Sequence, residues 1–177
     1  MWRLAAILGG ILVLAGCASN GAGGESPKST RAGLGPQGAA QAVGAALAFA
    51  AHSDQDVAVV DGYATLPPPV QRGEQPIDLA GGAASPCAQP PAQAFTPAER
   101  AAIRAAFHGR MVRFVGDPDQ ALRSRGPGRP LLVAARPLLG EQRGTVMVIG
   151  CVPAPQEFLV NLHWNGNAWQ ALATGAG

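Results

Sequence analysis

"FLVNLHWNGNAWQALA", residues Phe158 to Ala173, decides the fold class. Apolar residues alternate with polar ones on the approach to Asn165-Gly166, and a second β-like run follows. A period of two marks a strand with one face buried, and Asn-Gly between two such runs favours a two-residue type I′ hairpin. That register sets Leu162 opposite Trp169 and Val160 opposite Ala171. Phe158, Val160, Leu162, Trp164 and Trp169 then share one face, while Asn161 and His163 lie on the other. One greasy side and one polar side mark a half-buried antiparallel sheet.

Two earlier runs extend the pattern, Leu131–Ala135 and Thr145–Val152. Within the second, Val146 to Ile149 is continuously apolar, as a central strand would be. Together these runs predict an antiparallel meander of about four strands. Helical signals come before it. The Ala-rich stretch Ala39–His52 places Val43, Leu47 and Ala50 at helical spacing. "FTPAER" (Phe95–Arg100) carries a capping box, with Thr96 three residues before Glu99 and Pro97 in the first turn. Ile103 and Phe107 face the core from that helix, and Arg100 and Arg104 face solvent. Gly109 suits a helix end, whereas "RMVRFV" (Arg110–Val115) fits either more helix or a strand. "VAVV" (Val57–Val60) reads as a short strand, and Pro118 opens one or two helical turns. The expected class is α+β, with N-terminal helices followed by the meander. This order resembles that of the NTF2-like and cystatin-like groups, which implies a cone-shaped fold and no particular activity.

The N-terminus gives an address. Arg3 is the only charge before Glu25, and Leu4 to Ala15 are all apolar or Gly. Such a run is shorter than the roughly 20 residues of a permanent span and reads as a secretory signal. It ends in Leu14-Ala15-Gly16-Cys17. These residues resemble the lipobox of bacterial lipoproteins at all four positions. The resemblance implies a diacylglyceryl group on the Cys17 thiol, cleavage before Cys17 and acylation of the new amino terminus. Ala18 in place of Asp implies the periplasmic face of the outer membrane, the alternative being the outer leaflet of the cytoplasmic membrane. The expected organisation is a signal over 1–16 and a lipid anchor with a Gly/Ser-rich tether over 17–37. A single soluble domain then covers 38–177, with a Pro/Gly-rich loop at 61–95 as a candidate recognition loop or a surface insertion.

Composition narrows the function. Thirteen Lys and Arg against eleven Asp and Glu give a net charge of +2, without a basic tail, so nucleic acid is not an expected partner. The three cysteines divide into Cys17 for the lipid and Cys87 and Cys151 as a pair. An exported compartment favours their disulfide, which closes a loop worth roughly 4 kcal/mol in the chain-entropy model. No phosphate-binding loop, Gly-x-Ser-x-Gly elbow or His-Glu-x-x-His motif is present. His52, Asp54 and Asp56 alternate like metal ligands but also suit a helix end and turn, so no metal or other cofactor is expected beyond the acyl lipid. His108 likewise suits a helix C-terminus.

Two surfaces remain as candidates. His163, Trp164 and Trp169 are one, either as a ligand or partner surface or, for the indoles, as core. Arg100, Arg104, Arg110 and Arg113 are the other, as a basic surface. The expected function is a membrane-anchored envelope lipoprotein acting as a non-catalytic binding or assembly module for a protein or polymer. The alternative is a small-ligand binder or enzyme using the concavity of the C-terminal sheet.

Overall fold

Pro36 locks the first turn of helix α1 (Pro36–Ala50), so the helix starts a turn before the alanine pattern alone suggests. The computed structural model describes residues 33–52, 54–65, 85–124, 129–152 and 156–172. The lipobox, nearly all of the tether and most of the Pro/Gly-rich loop lie outside them. Strand β1 (Asp56–Ala64) follows, then α2 (Pro97–Ala105), β2 (Met111–Val115), α3 (Pro118–Ser124) and β3 (Leu131–Ala135). The chain closes with β4 (Leu138–Leu139), β5 (Arg143–Gly150), β6 (Gln156–Trp164) and β7 (Trp169–Ala171). The capping box of α2 forms as its sequence requires: the Thr96 hydroxyl accepts from the Glu99 N–H, and Glu99 accepts from the Thr96 N–H.

The class is α+β, with three helices among the described residues and a curled mixed sheet of seven strands. The main strand order is β2-β1-β3-β5-β6-β7, and β4 pairs with β5. The meander is one half of it, since β3, β5, β6 and β7 are successively antiparallel. The other half is parallel, and here the expectation needs correction. Val57–Val60 belongs to a nine-residue strand that pairs in parallel with both β2 and β3. Burial on both faces produces its unbroken apolar run, and no local signal names its partners. The NTF2-like and cystatin-like element order also fails at this point, because an interior strand separates the first two helices.

The route from β1 to β2 and that from β2 to β3 run in opposite directions across the sheet. Crossovers of one hand then place their helices on opposite faces. Accordingly Ile103 and Phe107, in and just after α2, join α1 on the inner face, against Val57, Val59, Val148, Leu162 and Trp164. Ala121 of α3 packs on the outer face with Ala58, Val60, Leu131, Val133 and Ile149. The Cys87–Cys151 disulfide, with Cα atoms 5.6 Å apart, straps the segment around Cys87 to that side.

The hairpin is corrected too. Trp164 pairs with Trp169 and Leu162 with Ala171, so four residues, 165–168, form the connection. A type I′ turn needs positive φ at both central residues. Gly166 has it (φ +95°), but Asn165 does not. Instead the Asn165 side chain accepts from the N–H groups of Asn167 and Ala168. The shifted register brings the two indoles to 5.5 Å on the inner face, and Trp169 Nε1–H donates to the Gly33 carbonyl at 3.1 Å.

Helices α1 and α2 meet where α1 has no side chain. A Cβ on Gly44 would stand 3.0 Å from both the Ile103 Cα and the Ala106 Cβ. Gly44→Val drives a branched side chain into this contact. It should destabilise the domain by about 1–3 kcal/mol, read as a lower denaturant midpoint at unchanged slope.

Candidate functional site

In sheets with parallel crossovers to both faces, ligands bind beyond the carboxyl ends of the strands, where the crossovers diverge. Here that place lies at the ends of β1 and β3, and a polar cluster fills it. Residues 91–93 lie directly on β1, because Gly62 has no Cβ; one placed there would come within 2.2 Å of the Gln93 carbonyl oxygen. The next residue, Tyr63, donates to Glu99 Oε1 at 3.2 Å and stacks edge-on with Phe95 at 4.9 Å. The Arg136 guanidinium lies 4.9 Å above the Tyr63 ring and donates to Gln93 Oε1 at 3.0 Å. Asp61 and Arg100 form a two-pronged ion pair alongside, with Nε to Oδ1 at 2.8 Å.

Burial pushes the Tyr63 hydroxyl up to about 12, and the charge and hydrogen bond of Glu99 push the same way, while Arg136 opposes. Burial also works against the charge on Glu99. The hydrogen bonds from Thr96 and Tyr63, with Arg136 nearby, outweigh it and hold the carboxyl below its ordinary value. A phenol that ionises near 12 is a hydrogen-bond donor at neutral pH, not a base. The cluster therefore holds the α2 N-terminus against the ends of β1 and β3. Sequence reasoning missed it, since its members come from separate elements. The one local signal was Glu99 in the capping box.

The residues expected to share a ligand surface are separated. Trp164 and Trp169 are 7% and 4% exposed, in the inner core. His163 faces outward, with Nδ1 3.0 Å from the Gln142 carbonyl oxygen. The concavity of the sheet is filled by α1. A cleft of about 570 Å³ remains outside α1, between α2 and β7, and Trp169 borders it. Its floor is Gln41, Ala45, Ala48 and Phe49, and its α2 wall is Ala102, Ala105 and Ala106. His108 and Arg110 stand at one end.

The four arginines expected as a basic surface are each engaged differently. Arg100 is bound to Asp61 and Arg113 to Asp56, which also meets Arg129. The Arg104 guanidinium lies 5.0 Å over the Phe114 ring. Arg110 donates to the carbonyls of Ala48, His52 and Phe107 and so gathers the C-terminal ends of α1 and α2. A cation there also complements two helix dipoles. His52 and His108 both adopt positive φ (49°) just beyond these helices. Among the described residues no three His, Cys, Asp or Glu groups cluster as metal ligands.

No family model, curated protein or solved structure matches the chain.

Tyr63 is the only tyrosine, so its ionisation can be followed alone by ultraviolet absorbance. The phenolate should form near pH 12, against 10.0 for a free phenol. Because the folded value is the higher one, Tyr63 contributes its stability below pH 10 and loses it as pH rises towards 12. Glu99→Gln should move the transition part of the way back towards the free value.

Proposed function

We propose that the chain is an exported, lipid-anchored envelope protein whose domain holds a protein or polymer partner near the membrane and performs no chemistry of its own. The observation that carries this reading is the Cys87–Cys151 disulfide. It suits an oxidising compartment and leaves Cys17, the lipobox cysteine, as the only thiol outside the pair. Two further features support it. The tether joins the fold at Gly33, which Trp169 holds by a hydrogen bond. The sixteen residues from Cys17 to Ala32 reach at most about 55 Å, enough to lift the domain off a bilayer. Among the described residues no helix is long and apolar enough to cross a membrane.

The non-catalytic part of the reading rests on what the ionisable groups do. Asp56, Asp61, Glu99, Arg100, Arg110 and Arg113 all hold elements of the fold together. A second reading, a small-ligand binder, is favoured by one feature: Trp169 borders the alanine-floored cleft.

Cys17→Ser should release the protein into the soluble fraction, while the wild type pellets with membranes. A Cys17→Ser protein that still pellets after a high-salt wash overturns the anchor. Crosslinking in intact cells, with mass spectrometry of what is captured, tests the partner. One dominant envelope protein supports the binding module, and none above background moves the reading to a ligand in the cleft.

A further inference from the structure

The outer face of the sheet is only half covered. Helix α3 and the disulfide-strapped segment lie over β1, β3 and the end of β5. No described element covers the rest, where β4, β5, β6 and β7 lie side by side. The register places Leu138, Thr145 and Asn161 in one row, and the hydrogen bond from Leu172 N to Asn161 O adds Leu172 to it. The next row pairs Met147 with Leu159. Leu138, Leu159 and Leu172 are 65%, 58% and 46% exposed, three of the most exposed large apolar side chains described. Exposed leucines and Met147 surround Thr145 and Asn161 on this face, with Arg143 and Glu157 in the flanking rows, and exposed apolar side chains grouped in a strip on one sheet face favour contact with a partner.

We infer that this strip is an interface between two copies of the chain, packed face to face about a two-fold axis parallel to the strands. The pattern is self-complementary about that axis. Rotation between β5 and β6 sets Leu138 on the second copy's Leu172, Met147 on Leu159, and the Thr145 hydroxyl on the Asn161 amide. At the end of the strip Arg143 pairs with His163 in register. With the His163 Nδ1–H directed to the Gln142 carbonyl, Nε2 is left as an acceptor, and the same rotation brings Arg143 donors of the second copy to it. Sheets packed in this aligned way lie about 10 Å apart.

The tether supplies an independent argument. Gly33 sits against Trp164, at the carboxyl end of β6. An axis parallel to the strands puts both copies' Gly33 at the same end of the dimer. Two lipid anchors then reach one membrane, whereas an axis across the strands would send them to opposite ends. This placement, and the confinement that lets a small contact suffice, both rest on the lipid anchor proposed above. The area fits a membrane-confined pair. Strands β4, β5, β6 and β7, of two, eight, nine and three residues, give about 350 Å² on each copy. A stable soluble pair needs about 800 Å² each. Confinement on a membrane raises the effective concentration and offsets the difference.

The test uses the full chain in its native membranes, with Asn161→Cys treated with a short bismaleimide. The expected product is a band at twice the monomer mass, absent for Gln120→Cys on α3. Leu159→Asp and, separately, Leu172→Asp in the Asn161→Cys background should cut its yield about tenfold or more. Each site is exposed, so the melting temperature and the Cys87–Cys151 disulfide should be retained. Three results overturn the inference: no crosslinked dimer, an adduct only with a different polypeptide, or a yield unchanged by both aspartates. The fractionation of Cys17→Ser reads the anchor separately, so failure of one is not mistaken for failure of the other.

Discussion

Helix α1 is buried along most of its circumference, and the size of its side chains limits how closely the sheet can curl around it. Gly38, Ala40, Ala42, Val43, Gly44, Ala46, Leu47 and Ala50 are all buried. Small residues let backbones approach, and Gly44 lets α2 settle directly on α1. The inner core then closes with Ile103, Phe107 and the two indoles around this one helix. Larger side chains would add apolar area but would hold α2 and the β6–β7 ribbon away from one another. The cleft between α2 and β7 is the gap left where the curled sheet stops short of α2.

Few charges are available in this chain, and the fold uses most of those described. Asp56 and Asp61 bind arginines from α2, β2 and the approach to β3. Arg110 ties two helix ends together through three carbonyls. Tyr63, Glu99 and Arg136 join the carboxyl ends of the parallel strands to the start of α2. Partly buried charge-assisted bonds of this kind fix the relative positions of elements that apolar packing alone would allow to slide. Two less charged areas remain beside these contacts, the alanine-floored cleft between α2 and β7 and the exposed leucines on the outer face of β4 to β7.

The antiparallel half was legible because its signals are local. Alternation from Phe158 to Trp164 fixed which residues face inward, and that assignment holds although the turn differs. The turn was misread because Asn-Gly speaks only for the loop. Burial of Trp169 beside Trp164 and its bond to Gly33, more than a hundred residues away in sequence, favour the longer connection. The parallel half was barely legible. Val57 to Val60 is apolar on both faces, and "RMVRFV" fitted two elements equally, so only long-range pairing could place them.

By itself, then, the sequence determined the period of the C-terminal strands, the capped start of α2, the sorting of inward from outward residues on β6 and the pairing expected of Cys87 with Cys151. Each depends on residues a few positions apart or on counting cysteines. Tertiary structure decided that β1 lies inside the sheet, that Trp164 and Trp169 are core while His163 is surface, and which partners Arg100, Arg110 and Arg113 hold. The reason is physical. Periodicity reports which side of an element is apolar, whereas the partner that covers that side is chosen by packing among elements far apart in the chain.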